Sequence, residues 1–309
     1  MRLTAGGDSQ TDYYAGYGVR PFQTWVPLCA TYLSEKVRAR SFGRSGNTSQ
    51  QLLDRADVFF EYDTPDVAAI AIGVNDPGAS IGQAQTETNV LAIIMAIKHR
   101  AIGFGRGTGC TVATQAALPA DGRPGQRYVV LSDGSTTGGV APWHASHKAN
   151  ITGAVAADGG GRKLGVWENR NPLPGEAGWG RVATVGTLPD RVTRIVVVPP
   201  PYRNFTSGGD TPSTPDANNA AVRTALSSAV GRTTGQIAGQ PTVIYSDLYA
   251  FMRSRIVAGT DPDFSTVAYD QNRSWHYIQG NQHYSAYGHQ LQAQKVSTDI
   301  AATWPTLIA

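Results

Sequence analysis

The sequence predicts an α/β chain, a three-layer α/β/α sandwich on a parallel sheet that carries a small inserted β domain. Three observations carry this expectation. Apolar runs at 66–72, 192–198 and 242–245 have the continuous character of strands buried on both faces. Helical stretches alternate with them, the rhythm of crossover connections. Residues 104–188 break that rhythm and hold 17 of the 35 glycines.

Taken in order, Leu3-Thr4-Ala5-Gly6-Gly7 is a short apolar strand that runs into a turn at Asp8-Ser9. Thr24 to Ser34 reads as a helix with a threonine cap, and it tolerates Pro27 in its first turn. Val37 to Phe42 alternates as a strand, and Thr48 to Ala56 begins with capping hydroxyls. Asp66 to Ile72 is the strongest buried strand. Thr86 to His99 carries Val90, Ile93, Ile94 and Ile97 on one stripe. After the strand Val192 to Val198, a helix over Pro215 to Val230 has Thr214 as its cap and proline in its first position. The strand Thr242 to Tyr245 and a last helix from Ser285 to Thr303 complete the set.

Between these, 104–188 has no helical period but shows β-like pieces such as Arg127 to Leu131 and Lys163 to Trp167 between turn signals. A structureless loop of that length is rare in a compact domain. The expected organisation is therefore 1–103 and 189–309 as two parts of one domain, with 104–188 as an inserted glycine-rich β domain.

Composition narrows the function classes. Of 309 residues, 41% are hydrophobic and 16% charged, which suits a globular chain. No apolar run approaches the roughly 20 residues of a membrane span, and no export signal is visible at the start, so a soluble protein is expected. The net charge of +3 resides in 104–188, with eight Lys/Arg against five Asp/Glu, and no basic cluster interleaved with aromatics points to nucleic acid. Cys29 and Cys110 lie far apart and read as buried small hydrophobes. His144 and His147 have neither a helix nor a third ligand around them, so no metal or cofactor is expected.

Four turns carry the chemistry. Ser9 lies just past a strand, reached through glycines that permit a sharp turn, which can expose a hydroxyl and free a backbone N–H. Gly46 lies in a strand-to-helix turn, where glycine also serves as an ordinary helix entry. Asn75 follows the strongest buried strand and offers an amide donor or an Asx turn. His283 and His289 frame the start of the last helix. Together these supply a hydroxyl nucleophile, an imidazole to take its proton and donors for an oxyanion, the requirements of acyl transfer. No Gly-x-Ser-x-Gly elbow, Walker loop or His-Glu-x-x-His is present, and Gly103 to Gly109 lacks dinucleotide-binding spacing.

In their order, Gly7-Asp8-Ser9-Gln10-Thr11, Ser45-Gly46-Asn47-Thr48, Gly73-Val74-Asn75-Asp76 and His283 through His289 resemble the four blocks of the SGNH, or GDSL-like, hydrolase family. The resemblance implies the SGNH fold, with Ser9 as nucleophile and His283 as base. It implies an oxyanion hole from the N–H groups of Ser9 and Gly46 and the Asn75 side chain, and it makes His289 a packing residue. The chain departs from the family at Gly280, where an aspartate three residues before the histidine is usual. Either a backbone carbonyl or another acid such as Asp270 would then orient His283, or activity is weak or lost.

Asp12, Tyr13, Tyr14 and Tyr17 follow the nucleophile, and Trp275, His276 and Tyr277 precede His283. Rings beside a cleft suit the apolar faces of sugars, and tyrosines on loops equally serve as surface packing. The expected substrate is an acylated carbohydrate or small ester, an O-acetyl ester first. Pieces of 104–188, including Leu118-Pro119-Ala120, Gly125 to Asp133, Val166 to Asn171 and Ala177 to Val182, resemble a small β module of bacteriophage tail and host-contact proteins. That resemblance implies a virion-associated enzyme with tail proteins as partners. The alternatives are a weakly active glycan-binding module of the same fold, or a structural virion component forming homo-oligomers through the insert.

Overall fold

The computed structural model describes residues 1–12, 19–34, 36–60, 64–100, 111–114, 117–119, 125–132, 164–169, 179–184, 193–202, 217–233, 236–237, 240–258, 260 and 283–308. In chain order the elements are β1 (Arg2–Gly7), α1 (Trp25–Leu33), β2 (Arg38–Gly43), α2 (Ser49–Asp54), β3 (Val67–Ala71), α3 (Gln83–His99), β4 (Thr111–Thr114), β5 (Arg127–Ser132), β6 (Gly165–Asn169), β7 (Trp179–Thr184), β8 (Arg194–Val198), α4 (Ala217–Gly231), β9 (Gln236–Ile237), β10 (Gln240–Pro241), β11 (Val243–Tyr245), α5 (Leu248–Val257) and α6 (Ala286–Thr303).

The expected α/β sandwich is present. Five strands form a wholly parallel sheet in the order β11-β8-β3-β1-β2. Its two central apolar strands, β3 and β8, are buried along their whole length, which is why they read as uninterrupted apolar runs. One core lies between the sheet and α2, α3 and α4, with Leu52, Ile70, Ile94, Val197 and Leu226 among its members. The other lies between the sheet and α1, α5 and α6, with Leu3, Trp25, Ala69, Met252 and Val296. From β1 the chain moves outward to β2 and then returns past β1 to β3. Strand order thus reverses between β1 and β3, and the loops leaving their carboxyl ends diverge to open a crevice there.

α5 has no counterpart among the expected helices. Its sequence carries no clear apolar stripe, but Asp247 caps it, with its carboxylate accepting from the Ala250 N–H at 3.0 Å. α3 begins at Gln83 rather than Thr86, because Gly82 takes the cap position. It also differs from expectation in burial: instead of one buried stripe, every residue from Thr86 to His99 is buried.

The second face of α3 is covered by a four-stranded sheet, β4-β5-β6-β7, formed within the glycine-rich stretch. Val129 and Val166 of this sheet, with Leu164 just before β6, join the α2–α4 core, and Tyr128, Val130 and Trp167 on its other face form a small cluster of their own. The Arg127 guanidinium, paired with Glu168 at 2.5 Å, donates to the His99 carbonyl at the end of α3. Of the segments that resemble the tail module, 118–119, 125–132, 166–169 and 179–182 are described, and the rest lies outside the described residues. Cys29 is buried in the α1–α6 core, as expected, and burial pushes its thiol up to about 12; Cys110 lies outside the described residues. No helix among the described residues is long and apolar enough to cross a membrane.

Candidate active site

Ser9 sits in the turn that leaves β1 at the crevice. The Asp8 carbonyl accepts from the N–H groups of Thr11 and Asp12 at 3.0 and 3.1 Å, and the Asp8 carboxylate accepts from Gln10 N–H at 2.9 Å. This winding uses the amides after Ser9 and leaves the Ser9 N–H without an acceptor among the described residues. Gly7 makes the turn feasible: a Cβ there would lie 2.3 Å from the Ala71 carbonyl oxygen and 2.4 Å from Thr11 Oγ1.

His283 Nε2 lies 3.0 Å from Ser9 Oγ, although 274 residues separate them. Two contacts hold the histidine turn in place. The Tyr284 N–H donates to Gln10 Oε1 at 3.2 Å, directly beside the serine turn. Ser285 caps α6 by accepting from the Gly288 N–H at 3.1 Å.

Gly46 stands in the turn from β2 to α2 with φ +78, and nothing lies within 4 Å of where a Cβ would be. Glycine is needed there for the left-handed backbone rather than for space. Its N–H, like that of Ser9, has no acceptor among the described residues. Asn75 follows β3 through Gly73, whose φ is +112. The Asn75 side-chain amide donates one hydrogen to the Asn47 carbonyl at 3.0 Å, which orients the group and leaves its second N–H available.

Further contacts bind these turns to one another. The Asp12 carboxylate accepts from Ser45 N–H at 3.0 Å, Ser41 Oγ donates to the Thr11 carbonyl, and Arg44 N–H donates to the Gly7 carbonyl at 3.0 Å. Arg55 donates to the carbonyls of Phe42 at 2.6 Å and Gly7 at 3.4 Å. With the Asn47 amide turned so that its oxygen faces Arg55, it also donates there at 2.8 and 2.9 Å. Burial, reinforced by Arg44, lowers the pKa of this guanidinium. The fully buried Asp76 carboxylate accepts from Ser49 N–H and from the Thr86 hydroxyl, each at 2.7 Å.

His289, the second imidazole, is 5% exposed, accepts from Trp25 N–H through Nδ1 at 3.4 Å and meets the Tyr284 ring edge-on. Burial, with a smaller contribution from the charge of His283, pushes its pKa down to about 3, so it is neutral and enclosed.

The structure thus brings together Ser9, His283, Gly46 and Asn75. Asp270, Tyr13, Tyr14 and Trp275, along with Gly280, lie outside the described residues. Sequence reading assigned no roles to Gln10, Arg55 or Asp76. Only the position of Asp76 directly after Asn75 could have drawn attention to it, since its partners come from two other elements. Among the described residues no group of three or more His, Cys, Asp or Glu side chains could hold a metal ion. What remains is a hydroxyl within hydrogen-bond distance of an imidazole, with the turns that carry Gly46 and Asn75 tied to the serine turn and to each other, an arrangement suited to attack on a carbonyl.

Comparison with known proteins agrees with a class of acylhydrolases: residues 5–149 match the GDSL-like Lipase/Acylhydrolase family. That match covers somewhat less than half of the chain. Among solved structures, a candidate GDSL-like lipase from Parabacteroides merdae shares 14% identity at a TM-score of 0.49, with 97% of this chain and 95% of that one covered. The acetyl xylan esterase AlAXEase shares 11% identity at 0.50, with 97% and 100% covered. Axe2, an acetylxylan esterase from Geobacillus stearothermophilus, shares 12% at 0.46, with 97% and 93% covered. At 11% identity the likeness to AlAXEase is one of fold alone. No curated protein matched the chain.

Proposed function

We propose that this protein is a serine esterase that hydrolyses short acyl esters, O-acetyl groups on carbohydrate first among them. The observation that carries the proposal is the 3.0 Å approach of His283 Nε2 to Ser9 Oγ. In the proposed reaction Ser9 Oγ attacks the ester carbonyl while its proton passes to His283, and the developing oxyanion is met by the N–H groups of Ser9 and Gly46 and the free N–H of Asn75. The imidazolium then protonates the departing alcohol, leaving an acyl-Ser9 ester. Water, deprotonated by His283, cleaves that ester and restores the hydroxyl. The carbohydrate part of the proposal draws on the aromatic residues flanking the site in sequence, Tyr13, Tyr14 and Trp275.

Hydrolysis of an aryl acetate by the intact protein and by Ser9→Ala tests the chemistry. The expected loss is at least ~10⁴-fold in kcat. Equal rates would remove Ser9 from the reaction. Acetate release from acetylated xylan, the substrate in the name of a protein sharing this fold, tests the carbohydrate part. Ser9-dependent hydrolysis of the aryl ester without release from any acetylated glycan would confine the activity to small esters. Glycan binding without turnover of either would favour a binding module.

A further inference from the structure

We infer that Asp76 is a positioning residue of the oxyanion hole, whose buried carboxylate holds the Gly46 N–H and the Asn75 amide at their working separation. The inference rests on the role proposed above for those two donors. Asp76 is 0% exposed, and both of its carboxylate oxygens are engaged. Oδ1 accepts from the N–H of Ser49, the first residue of α2 and the third after Gly46, at 2.7 Å. Oδ2 accepts from the Thr86 hydroxyl in the first turn of α3, also at 2.7 Å. One side chain therefore joins three pieces: the helix that follows Gly46, the loop that carries Asn75, and the helix into which that loop leads.

A second layer fixes the partners themselves. Ser49 Oγ accepts from the Asn89 amide at 2.9 Å, and Asn89 Oδ1 accepts from Gln85 at 2.7 Å. The backbone of Asp76 is likewise committed, its N–H to the Gly73 carbonyl at 3.1 Å and its carbonyl to Ile81 N–H at 2.9 Å. Asn75 completes the connection by donating to the Asn47 carbonyl, one residue from Gly46. A buried carboxylate is expensive to hold, and an apolar side chain would serve packing alone better. A carboxylate is the group that can take an N–H and a hydroxyl together in short, charge-assisted bonds, so it fixes direction as well as distance. Oxyanion donors work only when aimed at the place where charge develops, and a few tenths of an ångström matter there.

The test is a double-mutant comparison on an aryl acetate. Asp76→Ala in the otherwise intact protein is expected to lower kcat about 30-fold while KM stays within about twofold. Asp76→Asn keeps the acceptor for Ser49 and can donate to the Thr86 hydroxyl, so it recovers most of that loss. In the Asn75→Ala background the same Asp76→Ala change is expected to cost less than about threefold, because one of the two donors whose separation it sets is already gone. Equal fold-losses in the two backgrounds would overturn the inference, since a merely structural role is indifferent to Asn75.

Should Asp76→Ala fail to fold, Thr86→Val removes one of the two anchoring bonds. It is expected to lower kcat about fivefold with the same dependence on Asn75, and an unchanged kcat would overturn the inference. A readout in the resting protein separates this inference from the proposed reaction. Crystal structures of the intact protein and the anchoring variant are expected to differ by about 0.5 Å or more in the separation of Gly46 N and Asn75 Nδ2, and an unchanged separation would overturn it. Loss of Ser9 dependence, by contrast, would count against the esterase reading and leave this structural comparison to decide the role of Asp76.

Discussion

Two imidazoles six residues apart, His283 and His289, meet opposite surroundings. The first is half-buried against Ser9 Oγ; the second is enclosed by Trp25 and Tyr284 and pushed down to about 3. Above its ordinary value of 6.5, His289 is neutral whether the chain is folded or not. Between 6.5 and about 3 the unfolded chain takes up a proton that the folded chain refuses, so stability falls as pH drops through this window. The expected loss from this one group is about 3 kcal/mol at pH 4. His289→Gln, which keeps an acceptor for Trp25 N–H, should flatten the acid limb of Tm against pH; an unchanged limb would assign it to other groups. Identity in the sequence was plain for both histidines, and proximity to the nucleophile turn was not.

Among the elements, the turn that follows β1 packs closely against the carboxyl end of β2. A Cβ at Gly43 would lie 2.3 Å from Asp12 N and Thr11 C, contacts with main chain that cannot swing aside. At Gly46 the space is open and only the φ of +78 resists a side chain. Gly43→Ala should therefore lower the unfolding free energy by about 3 kcal/mol or more, and Gly46→Ala by about 1 kcal/mol, in denaturant titrations. Equal losses would contradict this account of Gly43. α3 shows what periodicity conceals: the unbroken run from Val90 to Ile97 has no polar face, the mark of a helix enclosed on all sides, yet the stripe at Val90, Ile93, Ile94 and Ile97 draws the eye first. α5 was illegible for the opposite reason, because its apolar residues form no clear stripe in the sequence, leaving only the cap at Asp247 as a signal.

Over the whole molecule, the glycine-rich stretch and the main sheet share a core. Val129, Leu164 and Val166 pack with α3, and Arg127 reaches the His99 carbonyl. Replacing 104–188 by a short linker would expose to water the side of α3 that packs against the small sheet, at roughly 25 cal/mol for each Å² of apolar surface uncovered. A lowered Tm is expected, measured by calorimetry against the intact chain. An unchanged Tm would mean that the small sheet contributes nothing to the stability of the larger one.

Local pattern alone determined the strands buried on both faces, most of the helices and the four turns with chemistry-bearing residues, because strand burial, helix capping and glycine conformation are read over a few neighbouring positions. Tertiary structure alone decided that Ser9 meets His283 across 274 residues and that Asp76 ties Ser49 to Thr86. The order of strands in the sheet, with β1 between β2 and β3, sets which turns share the crevice, and that order depends on long-range packing that no local period encodes.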